Sequence, residues 1–182
     1  MMRTAYHIAS IGLFTALAVA LGYAFVAIPN IEMITLSVFL AGILLGSAKG
    51  FIVGFLAEFI FAVFNPVGMA GPQLLIGMVL GMALIGLAGG LFGKFRKTKY
   101  SPRILLFFTG VACTVLFDLL TTVSFALMTG LSPGQTAATY VAGAWFYLIH
   151  MLGNGMLFFL LIPTLSRLWQ NTSCGPLREG VS

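Results

Sequence analysis

Two acids stand inside long apolar runs, and they are the residues most able to do chemistry. Of four acidic residues in 182, Glu58 and Asp118 sit where a membrane helix would have to carry them. A charged side chain at the centre of such a helix costs about 2.5 to 3.5 kcal/mol on insertion scales, so each must face a wet cavity or a polar partner. Asp118 is flanked by Thr114, Thr121 and Thr122 at offsets of four, three and four residues, which stacks them as one polar stripe. Tyr147, His150 and Asn154 form a second stripe, with Tyr140 and Trp145 nearer the end of the same apolar run. Glu58 and Asn65 are seven apart and share a helical face. The chemistry offered is recognition of a small molecule. A lone Asp118 with a lone His150 makes a weak catalytic dyad, and no pair of histidines has zinc spacing. Gly46 to Gly50 lacks the Lys-Ser/Thr ending of a phosphate-binding loop, and Gly93-Lys94 runs into Phe95, so there is no nucleotide site. The plainer alternative is that these polar groups bond only to one another and that Trp145 and Tyr140 line a membrane interface.

The elements that must position these residues follow from composition. The chain is 60% hydrophobic and 7% charged, whereas a soluble domain carries roughly 25% charged residues. A water-facing surface cannot be built from it, so an all-α membrane protein is expected. With about 20 apolar residues per crossing, helices are expected over 8–28, 33–47, 50–64, 73–92, 104–128 and 140–166, one transmembrane domain over 1–169, and a polar cytoplasmic tail over 170–182. The run from Met33 to Phe64 is too long for one crossing, and Gly46-Ser47-Ala48-Lys49-Gly50 breaks it in two.

Charge tests that split. Short cytoplasmic loops collect Lys and Arg. With six crossings and both termini inside, Arg3, Lys49, the cluster Lys94, Arg96, Lys97, Lys99 and Arg103, and the later Arg167 and Arg178 all fall on the cytoplasmic side. With five crossings the cluster would lie opposite the N-terminus. The outer loops then carry the turn formers Pro29-Asn30, Asn65-Pro66, Gly71-Pro72 and Ser132-Pro133-Gly134, and a single charge, Glu32. The net charge of +5 sits in loops and at the ends, not along one polar face, which argues against nucleic acid. Cys113 and Cys174 differ too far in expected depth to pair.

Small residues repeat every fourth position. Gly12, Ala16, Ala20 and Ala24 make a smooth strip on the first helix, and Gly42, Gly46, Gly50 and Gly54 recur across the break. Gly77/Gly81, Gly86/Gly90 and Gly89/Gly93 mark the fourth helix. Such strips let helices approach closely. For the glycines internal packing is the expectation; for Ala16 and Ala20 internal packing and docking to a partner stand level.

Size, expected topology, the strip Ala16-Leu17-Ala18-Val19-Ala20, the run Ile28-Pro29-Asn30-Ile31-Glu32 through Leu40-Ala41-Gly42 to Leu45-Gly46, the Asn65-Pro66 to Gln73-Leu74-Leu75 loop and the Gly-rich fourth helix together resemble the S components of energy-coupling factor (ECF) transporters. These are the vitamin-binding membrane subunits of a class of ABC importers. The resemblance covers nearly the whole chain and implies a six-transmembrane-helix bundle in a bacterial or archaeal cytoplasmic membrane. It implies no enzyme activity and no cofactor. It further implies docking of Ala16 and Ala20 on a membrane T component driven by two cytosolic ATPases, and capture of a vitamin-type ligand from outside. By position, Asn30, Glu32, Asn65, Gln73, Tyr140, Trp145, Tyr147, His150 and Asn154 are candidate ligand contacts, with Glu58 and Asp118 as pocket support.

With every Lys and Arg expected in the cytosol, the pocket has no fixed cation to pair with a carboxylate or phosphate, and a neutral or cationic ligand is expected. Two other readings stand beside this one. A stand-alone secondary carrier would use Glu58 or Asp118 as its ion-linked acid, and a non-transport six-helix scaffold would tolerate loss of the outer polar groups.

Overall fold

A computed structural model describes residues 2–28, 30–66, 68–95 and 102–171. Pro29, the basic residues Arg96, Lys97 and Lys99, and the tail with Cys174 and Arg178 lie outside the described residues, so the expectations attached to them have no structural counterpart. Among the described residues the chain forms seven helices: α1 (Met2–Phe25), α2 (Met33–Leu45), α3 (Ser47–Val63), α4 (Pro72–Phe95), α5 (Arg103–Thr129), α6 (Pro133–Ala142) and α7 (Ala144–Asn171). Four of them contain stretches long and apolar enough to cross a membrane: Thr4–Phe25, Pro72–Phe95, Arg103–Thr129 and Ala144–Trp169.

Helix α2 is apolar on every side, and a helix of that kind belongs in an interior. Its residues Ile34 to Ile43 are all buried. At 13 residues it rises about 20 Å, short of the roughly 30 Å hydrocarbon core. Its neighbours shield it from lipid: α1, α3 and α4 pack along it and α7 touches it. Helix α4 then lies between the α2/α3 pair and α5, and α5 pairs with α7. Large apolar side chains point outward instead on α1, α4, α5 and α7, among them Leu13, Ile76, Phe108 and Leu152. That distribution suits helices whose solvent is lipid.

The glycines explain how α2, α3 and α4 come so close. A methyl group at Gly42 or Gly50 would collide with the Gly86 carbonyl, one at Gly54 with the Met82 carbonyl, and one at Gly89 with the Phe39 carbonyl. Backbone meets backbone along this seam, which any side chain would prevent.

Several boundaries differ from the sequence expectation: α1 begins at Met2 rather than 8 and ends at Phe25 rather than 28, α7 runs to Asn171 rather than 166 and so into the expected tail, and two further differences change the turns. The break expected over 46–50 is one residue, Gly46, at φ +94°, a conformation that L side chains rarely adopt. Helix α3 therefore starts at Ser47, and Lys49 falls in its first turn, 2.9 Å from His7 Nδ1 on α1. The single helix expected over 140–166 is two. Ser132 caps α6 through a capping box with Gln135, Pro133 follows at its first turn, and the chain turns at Gly143 before α7 begins.

Candidate functional site

A cavity of about 510 Å³ opens at one end of the bundle. The end of α1, the 26–32 loop, the start of α2, the end of α3, the start of α4, the second half of α5, α6 and the start of α7 all meet there. Every described Lys and Arg position belongs to the other end: Arg3, Lys49, Lys94, Arg103 and Arg167 lie in the terminal turns of helices whose opposite ends line the cavity. No described Lys or Arg lines the cavity.

At the cavity's polar wall His150 is held between two acids. Its Nδ1 lies 3.1 Å from Asp118 Oδ1 and its Nε2 lies 3.2 Å from Glu32 Oε2. Each nitrogen thus faces a carboxylate, an arrangement fully satisfied by the imidazolium with its two N–H donors. Thr35 Oγ1 donates to the same Glu32 oxygen at 2.6 Å. Burial raises the Glu32 pKa, but the hydrogen bond and charge of His150, with hydrogen bonds from Thr35 and Asn154, outweigh it and hold the carboxyl below its ordinary 4.5. Three elements that are distant in sequence are tied by these bonds: the α1–α2 loop, α5 and α7.

Beneath this clamp Asn154 is fully buried and donates from Nδ2 to Thr114 Oγ1 at 3.0 Å. Nearer the mouth Thr122 Oγ1 and the Tyr147 hydroxyl are 2.9 Å apart, and Tyr140 packs on Tyr147 with ring centroids 5.6 Å apart. The Tyr140 hydroxyl donates to the Leu119 carbonyl at 3.1 Å. Asn30 adopts φ +63° in the loop, a left-handed conformation that Asn tolerates better than most residues.

The candidate residues divide on this geometry. Asn30, Glu32, Asn65, Tyr147 and His150 line the cavity, and so does Asp118, which was expected to lie deeper as support. Asn154 sits behind the wall. Tyr140 borders Tyr147 without lining the cavity, Gln73 is exposed, and Trp145 is 73% exposed on the outside of α7. Glu58 is 1% exposed, does not line the cavity, and leaves Oε2 without a hydrogen-bond partner. Sequence reasoning missed the aromatic wall of Phe25, Phe61, Phe117, Phe125 and Phe146. Four of these carried a signal: Phe61 stands one helical turn before Asn65, Phe146 one turn before His150, Phe117 three residues after Thr114, and Phe125 seven after Asp118.

Both nitrogens of His150 are engaged, so neither is free to take a proton from a substrate. Among the described residues no group of three or more His, Cys, Asp or Glu side chains is placed to hold a metal ion. Comparison with protein-family models, with curated proteins and with solved structures returns no match.

Proposed function

We propose that this chain is the substrate-capturing subunit of a micronutrient importer of the ECF type. It crosses the membrane six times, keeps both ends in the cytosol, and takes a water-soluble, neutral or cationic vitamin-type ligand from the outer face. The observation that carries this reading is the opposition of the two ends: a cavity of about 510 Å³, within the range of small-molecule sites, lies across the bundle from every described Lys and Arg. Basic residues mark the cytoplasmic side, so the cavity mouth faces out.

Delivery needs energy from elsewhere, because no phosphate-binding loop exists in the sequence. The free face of α1 supports a partner. Gly12, Ala16, Ala20 and Ala24 are all exposed along it, and a T component with two cytosolic ATPases is the partner that the family resemblance implies. Mass spectrometry of the protein purified from its native membrane tests the proposal. A water-soluble small molecule, a second membrane subunit and ATPase subunits are expected to come with it; a protein that carries no ligand and no ATPase contradicts it.

One observation favours a second reading. Glu58 is buried with an unpartnered oxygen and no assigned use, as an ion-linked acid in a stand-alone carrier would be. Uptake into vesicles that contain only this chain would select that reading.

A further inference from the structure

Resting on the capture reading, we infer that the cavity selects a planar heteroaromatic ligand that carries a positive charge and N–H donors. Charge gives the first part. Glu32 and Asp118 contribute two carboxyl groups to the wall and one His150 can balance only one of them, with no described Lys or Arg beside them. An uncompensated charge in a partly dry site is costly, and a bound cation removes that cost.

Hydrogen-bond supply gives the second part. Asp118 is 9% exposed, stands in the cavity wall, and leaves Oδ2 with no partner after Oδ1 is used by His150. Asn30 Oδ1 is unpartnered in the same wall. Buried acceptors without donors are rare because each forfeits a hydrogen bond. His150 cannot answer them, since both of its nitrogens already face carboxylates. Both oxygens are buried at the wall, so a guest whose N–H groups displace the side chains covering them supplies the missing donors.

Shape gives the third part. Phe61, Phe117, Phe125, Phe146 and Tyr147 supply aromatic surface around these acceptors. Ring faces favour flat guests and attract cations through their quadrupole.

The test uses the full chain in detergent, stripped of any co-purified compound, and titrates it calorimetrically with thiamine, riboflavin and biotin as a cationic, a neutral and an anionic probe. Thiamine is expected to bind at least about tenfold more tightly than the other two, and Asp118→Asn, which keeps a hydrogen bond to His150 but loses the charge, weakens it by about tenfold or more. Tighter riboflavin or biotin binding, or thiamine binding indifferent to Asp118→Asn, overturns the charge inference and leaves capture standing. Where none of the three binds, the compound stripped from the protein decides: a cationic ring with N–H donors upholds the inference, and a neutral or anionic compound overturns it. If no probe binds and no compound is released, the capture reading itself falls.

Discussion

Two strips of small residues share one spacing and have opposite fates. On α2, α3 and α4, Gly42, Gly50, Gly54, Gly86 and Gly89 are buried with backbone against backbone. On α1, Gly12, Ala16, Ala20 and Ala24 repeat every fourth residue and are all exposed, with open space beside Gly12. The same pattern thus closes an interior seam in one place and leaves a smooth outer face in the other. What separates them is the company they keep. Glycines brought together from three helices allow mutual approach, whereas α1 turns Phe14 and Ala18 inward and no described residue covers its small strip.

Substitutions can break this contrast. Gly86→Leu should give the largest effect, because its side chain must force α4 away from Gly50 and Val38. A loss of about 3 kcal/mol or more is expected, the upper range for overpacking; thermal unfolding in detergent that matches wild type would refute the close seam. Ala16→Leu with Ala20→Leu is expected to change stability by less than about 0.5 kcal/mol, as at other exposed sites, and to leave ligand binding intact. Uptake by the complete transporter should nevertheless be lost, since the leucines hold a partner helix off. Undiminished uptake would end the docking role. The smallest change sharpens the contrast from the other side: Gly12→Ala adds a methyl into open space and should stabilise α1 by about 0.4 to 1 kcal/mol.

The fold was legible wherever a break in apolar character coincided with turn residues. Pro72, Arg103 and Gly130 mark helix ends within a few residues of the expected ones. The α6/α7 division was not legible from hydropathy, because apolar residues continue through Gly143; the Ser132 to Gln135 capping box was the available signal for a separate helix. At the site, Asn30, Glu32 and Asn65 could be named because polar residues are scarce in those loops. The bond from Asp118 to His150 joins residues 32 apart on different helices, and only packing sets their rotation. Phe117 stands three residues after Thr114 and Phe125 seven after Asp118, so the polar stripe on α5 was the available mark of the face that meets the cavity.

The account depends most on which end of the bundle meets the outside. Starting from a variant with Cys113→Ser and Cys174→Ser, single cysteines at Gln73 and at Lys94, exposed residues near opposite ends of α4, can be labelled in intact cells with a membrane-impermeant maleimide. The reagent should reach Gln73→Cys directly and Lys94→Cys only after the cells are opened. The reverse pattern would turn the cavity toward the cytosol and contradict capture from outside.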